Sequence, residues 1–261
     1  MHTIRNYIMA ESLEQAWELN QKGRNNVIIG GNLWLTMGNR NILNAIDLST
    51  LGLDRIEEDE GGFRIGCMAT LRDIEMHEGL NKEFQNLFKE AVRHIVGVQF
   101  RNCATVGGSI FPKLGFSDVL TAFLACDTQV ILYKKGEVSL REFIYMPTDN
   151  DILTHIYVKK DGRKTAYESF RMTETDFPTL TCAMAMVDGR FETVLGARPK
   201  HAEVVIDEEL ADSLSKEDVA SYAKRVIDKL QYGSNIRGSK QYRKQLSKVL
   251  ISRCISRLTE E

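Results

Sequence analysis

Five cysteines are scattered through the 261 residues, at Cys67, Cys103, Cys126, Cys182 and Cys254, and no C-x-x-C occurs. Iron–sulfur clusters and structural zinc need cysteine ligands grouped at short spacing. Neither metal class therefore finds a ligand set within this chain. The histidines, His2, His77, His94, His155 and His201, form no H-x-x-H or H-E-x-x-H pattern, and each reads as exposed or structural. No metal site is expected. The motifs G-x-G-x-x-G and G-x-x-x-x-G-K-S/T are both missing, which removes support for an ordinary Rossmann fingerprint or a P-loop. Lysine and arginine (34) do not outnumber aspartate and glutamate (36), and the net charge is −2. With no basic excess to neutralise phosphates, nucleic acid is not an expected partner. No stretch approaches the ~20 apolar residues of a membrane span, and residues 1–7 show no signal-peptide apolar region. The expectation is a cytoplasmic protein with reduced, mostly buried thiols. There is also no recognisable acid/base pair, so no catalytic residue is assigned, and any redox chemistry must reside in an organic cofactor.

What is present is ordinary globular composition, 43% hydrophobic and 27% charged, in a chain long enough for two domains. Two glycine pairs stand out. Val27-Ile28-Ile29 runs into Gly30-Gly31-Asn32-Leu33-Trp34, and Arg101-Asn102-Cys103-Ala104-Thr105-Val106 runs into Gly107-Gly108-Ser109-Ile110. Without a Cβ, glycine lets the backbone turn sharply and approach a ligand closely. Successive N–H groups can then converge on an anion such as a phosphate. A glycine pair after an apolar run is often only a turn. Two such pairs, each followed by a small polar residue, point to the two sides of one diphosphate.

Local signals give alternating α and β elements. Ser12-Leu13-Glu14-Gln15 is a capping-box start, closed by Gly23. The run 26–29 reads as a buried strand, and Ala45-Ile46-Asp47-Leu48 as another. Asp59-Glu60-Gly61-Gly62 is a hairpin turn. Phe84, Leu87, Phe88, Ala91 and Val92 lie at helical spacing, which predicts one amphipathic helix over 82–95. Ser117 caps a helix over 118–125, and 129–133 is a strand. In the last hundred residues Asp188-Gly189 joins two apolar runs as a hairpin. Ser215 caps a helix with Val219, Tyr222, Ala223, Val226, Ile227 and Leu230 on one face. A last helix carries Tyr242, Leu246, Val249, Leu250 and Cys254. This is a small α+β region without a catalytic constellation.

Several segments resemble the FAD-binding medium subunits of molybdenum hydroxylases, the xanthine dehydrogenase and carbon monoxide dehydrogenase type. Ile28-Ile29-Gly30-Gly31-Asn32-Leu33 resembles their A-G-G-T-x-L loop. The stretch from Ile65-Gly66-Cys67 to Thr70 and Ile74 is similar to I-G-A-x-x-T-x-x-x-I. Gln99-Phe100-Arg101-Asn102-Cys103-Ala104-Thr105-Val106-Gly107-Gly108-Ser109-Ile110 resembles Q-I-R-N-x-A-T-I-G-G-N-I, the most specific of the matches. Ser117-Asp118 with Ala122-Phe123-Leu124-Ala125 fits S-D-x-x-x-A-L-L-A, and Asn235-Ile236-Arg237-Gly238-Ser239 with Tyr242-Arg243 resembles D-x-R-A-S-x-x-Y-R. The matches keep one order over essentially the whole chain.

The resemblance implies an α+β fold. A PCMH-type FAD-binding domain would cover 1–162, in two α/β subdomains of about 1–55 and 56–162. A C-terminal domain of antiparallel sheet plus helices would cover 163–261. It implies that the backbone of Ile28, Ile29, Gly30, Gly31, Asn32 and Leu33 holds one side of the FAD diphosphate, and that of Thr105, Val106, Gly107, Gly108 and Ser109 the other. The Thr105 hydroxyl is an added donor. Asp118 would accept a hydrogen bond near the adenosine half, against the alternative of a carboxylate that merely complements a helix dipole. Trp34 would either contact the flavin or serve as a core residue, and Leu153 would lie near the cofactor. Molybdopterin and 2Fe–2S clusters are expected on partner subunits, in a dimer of heterotrimers, with NAD or another acceptor taking electrons from FAD. One departure concerns charge. Glu168 stands near the family's lysine position, and loss of a cation there would shift the flavin potential. The alternatives are a medium subunit of a carbon monoxide or other aldehyde or heterocycle dehydrogenase, a free-standing flavoprotein, or a nucleotide-binding scaffold without flavin.

Overall fold

The computed structural model describes residues 3–207 and 215–259. In chain order the elements begin with β1 (Thr3–Met9), α1 (Leu13–Gln21), β2 (Asn26–Ile29), α2 (Leu33–Thr36), β3 (Asn41–Asp47), β4 (Ile56–Glu58), β5 (Gly62–Gly66) and α3 (Leu71–Met76). There follow α4 (Glu78–Glu83), α5 (Leu87–Val92), α6 (Val98–Arg101), α7 (Val106–Ile110), α8 (Asp118–Leu124), β6 (Thr128–Leu132), β7 (Gly136–Ser139), α9 (Leu140–Phe143) and β8 (Leu153–Lys159). The chain ends with β9 (Lys164–Phe170), β10 (Leu180–Val187), β11 (Arg190–Gly196), β12 (Glu203–Ile206), α10 (Lys216–Lys229) and α11 (Lys240–Thr259). Among the described residues no helix is long and apolar enough to cross a membrane.

The chain divides into two units. The first comprises Met1–Ile74, Val98–Pro112 and Thr128–Val158, and the second Glu75–Gly97, Lys113–Asp127 and Lys159–Glu261. The first unit holds a three-stranded sheet ordered β1-β3-β2 and a five-stranded sheet ordered β4-β5-β8-β6-β7. In the smaller sheet β3 pairs in parallel with both neighbours, as crossover connections require. Ile29, Ile42 and Ala45 form the buried cluster of these strands. Ser12 caps α1 by accepting the Gln15 N–H at 3.1 Å. The Gln15 side chain reaches back to the N–H of Glu11, one residue beyond the reciprocal contact of an ideal capping box. At the β4–β5 turn Asp59 Oδ1 accepts both the Gly61 and Gly62 N–H groups, at 2.8 and 2.7 Å.

The second unit is built on an antiparallel sheet ordered β12-β11-β10-β9. Asp188 and Gly189 take φ values of 48° and 73° in the β10–β11 hairpin, the paired left-handed conformation that Asp-Gly favours. Ser215 and Asp218 complete a capping box on α10. The apolar faces of α10 and α11 pack with the sheet in one core that includes Cys182, Met184, Leu195, Val226, Leu250 and Ile255.

Two elements differ from the periodicity reading. The helix expected over 82–95 is broken at Gln85 and Asn86, whose φ values are 45° and 63°. The β9 residue Thr165 causes this: its N–H donates to Gln85 Oε1 and its hydroxyl to the Phe84 carbonyl, both at 2.6 Å. The apolar residues that carried the expectation are still all buried. On α11, Tyr242 and Val249 are exposed, whereas Arg243 and Ser247 are fully buried. Arg243 is tolerated there because it donates to the carbonyls of Thr179, Gly233 and Gly238 and to Asn235 Oδ1.

Candidate functional site

In the first unit β2 delivers Gly30 and Gly31 to a turn completed by Asn32, which adopts the left-handed conformation at φ 59° and ψ 13°. Asparagine is among the few residues that take this region readily. Asn32 stands at the N-cap of α2, but its side chain makes no capping bond. Its Oδ1 is buried with no partner. A buried acceptor left unmatched is costly, so this atom is one to which a ligand donor can be added.

The reason for each glycine is visible. A Cβ on Gly31 would overlap the backbone carbonyl of Cys103, and one on Gly30 would collide with Thr105 Oγ1. The segment 103–105 therefore lies directly on the first glycine pair. Two glycine motifs distant in sequence are one surface in the fold.

In the second motif Thr105 N-caps α7, accepting the Gly108 N–H at 3.1 Å. The neighbouring N–H groups are also engaged within the chain. Val106 donates to the Ala69 carbonyl and Gly107 to that of Cys67, each at 2.8 Å, and Ser109 to that of Thr105 at 3.1 Å. A Cβ on Gly107 would lie 2.7 Å from the Cys67 carbonyl oxygen, and one on Gly108 would lie 2.9 Å from Thr105 Oγ1. These glycines thus let the turn close against 67–71. What this segment presents is a side-chain-free backbone surface and the Thr105 hydroxyl, which accepts from Gly108 and keeps its own proton to donate. Val106 and Ser109 are buried beneath it. Ile29 and Leu153 are buried at 5% exposure, Ile28 and Leu33 are half-buried, and Trp34 meets Phe100 edge-on with ring centroids 6.0 Å apart.

Asp118 belongs to the second unit. It follows the Ser117 cap as the first residue of α8 and is 5% exposed. Its Oδ1 accepts the Tyr167 hydroxyl, and Arg171 Nη2 at 2.7 Å. Burial pushes the Asp118 carboxyl up to about 6, against the opposing pull of Arg171 and Tyr167. Burial and the Asp118 charge raise the Tyr167 hydroxyl in turn. Two N–H sites of Arg171, Nε and Nη1, are buried without partners.

Glu168 lies elsewhere. Successive strand side chains alternate between faces, and Ala166 and Phe170 of β9 join the core under α10 and α11. Glu168 shares their face, where Arg257 holds it at 2.6 Å and Arg253 lies 4.0 Å away. Tyr167 takes the opposite face and meets α8. Sequence reading named Asp118 but not its partners. Tyr167 of β9 and Arg171, which directly follows that strand, are 49 and 53 residues further on.

Residues 2–158 match the model of the family described as "FAD binding domain in molybdopterin dehydrogenase". The chain is 27% identical over 190 residues to the protein YgfM of Escherichia coli (strain K12), covering 71% of each. It is 26% identical over 267 residues to the glyceraldehyde dehydrogenase medium chain of Sulfolobus acidocaldarius, covering 94% of each. Among solved structures, a carbon monoxide dehydrogenase chain from Hydrogenophaga pseudoflava superposes with a TM-score of 0.85 at 22% identity, covering 97% of this chain and 96% of that one. The fold is shared along the whole length.

Proposed function

The chain belongs to the family of FAD-binding domains in molybdopterin dehydrogenases, and from that premise we propose that it serves as the flavin-bearing electron-transfer subunit of a xanthine dehydrogenase-like complex. It is an FAD-binding component of an oxidoreductase. In the proposed complex a molybdopterin subunit oxidises the substrate and a subunit with 2Fe–2S clusters relays the electrons. NAD⁺ is the final acceptor, the assembly is a dimer of heterotrimers, and its place is the cytoplasm.

The observation that carries the reading is the direct seating of the 103–105 segment on Gly30 and Gly31. Turns that pack this closely without side chains between them also suit the approach of a flat or anionic group. Asn32 Oδ1, buried and unmatched in the same turn, fits a ligand hydroxyl or N–H. In this reading the backbone of 29–33 and the Thr105 hydroxyl hold the diphosphate, and the 105–109 turn, whose N–H groups are engaged within the chain, packs against it. Trp34 and Leu153 shield the dinucleotide from water. FAD would supply a two-electron couple that also exchanges single electrons, and so join a one-electron relay to a two-electron acceptor. The chain's own task is to bind it and to set its electrostatic surroundings.

A second reading is that the complex oxidises an aldehyde. It is favoured by the similarity to the glyceraldehyde dehydrogenase medium chain over 94% of each sequence. The purified full chain, alone and with its co-expressed partner subunits, tests the proposal through its visible spectrum and the mass of the released cofactor. Flavin bands with FAD are expected. A colourless protein that takes up no added FAD in either form overturns the assignment. Anaerobic addition of NADH to the FAD-loaded chain tests the acceptor: bleaching of the flavin band is expected, and an unchanged band removes NAD from the account.

A further inference from the structure

Strand β1 lies at the edge of the sheet β1-β3-β2, and among the described residues it pairs with β3 alone. The Thr3 N–H bonds the Arg40 carbonyl, and Thr3 stands opposite Asn41. Along a parallel ladder alternate residues turn both backbone groups to the same neighbour, so Thr3, Arg5, Tyr7 and Met9 face β3. The N–H and C=O groups of Ile4, Asn6 and Ile8 therefore point away from the sheet. Such a row invites another strand, and proteins usually guard it with proline, lysine or a bulge. Thr3-Ile4-Arg5-Asn6-Tyr7-Ile8-Met9 contains neither proline nor lysine, and its register with β3 keeps one offset throughout. Tyr7 is 57% exposed and Met9 50%.

A row of asparagines leads to this edge. Asn26 of β2, Asn44 of β3 and Asn6 of β1 share one level of the register. Asn44 Nδ2 donates to Asn26 Oδ1 at 2.8 Å, and Asn6 Nδ2 donates to Asn44 Oδ1 at 2.9 Å. Among the described residues nothing takes the second Asn6 N–H or the Asn6 Oδ1. A second copy of the strand, antiparallel about Asn6, supplies both. Two asparagines on a two-fold axis satisfy each other, each giving an N–H to the other's Oδ1. The same axis sets Ile4 opposite Ile8 and Arg5 opposite Tyr7. Arg5 has no side-chain partner among the described residues, and the Tyr7 hydroxyl donates to Asp47. Each Arg5 thus meets an aromatic ring backed by a carboxylate, and no like charges stand opposite each other.

We propose that the β1 edge is a self-association surface, at which two copies of this chain join antiparallel about Asn6 into one continuous sheet. Pairing of a surface with itself closes as a dimer. The proposal needs neither FAD nor partner subunits.

Sedimentation equilibrium of the full-length chain measures the association for wild type, Arg5→Glu, Tyr7→Lys and the double variant. A single strand pair is a small interface, so a dimer with a micromolar Kd is expected. Arg5→Glu sets a carboxylate near Asp47 of the other copy, and Tyr7→Lys sets an ammonium against Arg5. Symmetry repeats each change, so each should weaken the dimer by about tenfold. The double variant pairs glutamate with lysine and should regain most of the loss. Amide exchange at Ile4, Asn6 and Ile8 should slow as protein concentration rises. Val249→Lys, at a residue of α11 that is 46% exposed, should leave the Kd unchanged. A chain that stays monomeric throughout the micromolar range overturns the proposal. So does a dimer indifferent to both single substitutions, or a double variant that dimerises no better than either.

Discussion

Replacing Gly31 with alanine adds one methyl group at the contact between the two glycine motifs. The new Cβ would overlap the Cys103 carbonyl oxygen and approach the Ala104 nitrogen at 3.1 Å. These are backbone atoms and cannot swing away as a side-chain tip does. Segment 103–105 is also fastened from behind: the Ala104 carbonyl accepts the Leu71 N–H at 2.8 Å, and the Val106 N–H donates to Ala69 at 2.8 Å. Gly31 has no positive φ, so alanine meets no backbone strain, and its stiffer unfolded chain would by itself stabilise by about 0.4–1 kcal/mol. Overpacking of this kind costs about 1–3 kcal/mol, so the net result is a loss of about 1–2 kcal/mol. If the same displacement opens the FAD surface, affinity falls by about tenfold for each 1.4 kcal/mol. Gly38 provides the internal control. Its Cβ would find only the Leu35 carbonyl oxygen at an ordinary 3.4 Å, so Gly38→Ala is expected to be neutral or slightly stabilising. Urea unfolding midpoints and FAD titrations of the two variants measure both effects. A Gly31→Ala protein with wild-type midpoint and wild-type Kd would refute the argument that the two motifs form one packed surface.

Three further outcomes follow from the second unit. Asp118 has a folded-state pKa of about 6 against an ordinary 3.8, so the folded chain holds this proton more tightly than the unfolded one. Its contribution to stability is therefore fully present below about pH 4 and is lost as pH rises through about 6, a fall of about 3 kcal/mol for the apoprotein. The difference in unfolding free energy between wild type and Asp118→Asn, followed from pH 4 to 7, should show this slope, and a flat difference contradicts it. Arg243→Met removes a buried donor from three carbonyls and an amide oxygen, and should destabilise by about 3–5 kcal/mol in denaturant titrations; a loss below about 1 kcal/mol would mean that water replaces the guanidinium. Thr165→Val deletes the hydroxyl donor to Phe84 at the α4–α5 break. Raised hydrogen exchange at 84–87 is expected, and unchanged protection would show that the break is set by its own residues.

What could be read along the chain followed the range of the forces involved. Ser12, Ser215 and Asp188-Gly189 act through atoms a few residues away, and each forms the cap or hairpin its neighbours imply. The apolar positions of 82–95 were recognisable as core, yet the helix breaks there because Thr165, 80 residues on, captures the turn. Strand β1 gives no clean alternation, since it is an edge strand mostly exposed on both sides. Arg243 and Ser247 looked polar and are core, because their partners are carbonyls and a tyrosine hydroxyl that only the fold assembles. At the candidate site the glycine pairs were legible as turns. That they rest on each other depends on the Cys103 carbonyl, which no residue pattern reports. Asp118 was legible through its Ser-Asp motif, while its contacts with Tyr167 of β9 and with Arg171 just beyond that strand required the fold.

The central claim is that this chain holds one FAD through its two glycine motifs. Equilibrium titration of the full-length apoprotein with FAD, with FMN run in parallel, tests it most directly. The account predicts saturation near one FAD per chain, much weaker binding of FMN, which lacks the adenosine half and its share of the diphosphate, and loss of FAD affinity in Gly31→Ala but not in Gly38→Ala. Equal binding of FAD and FMN, or FAD binding indifferent to Gly31→Ala, would contradict it.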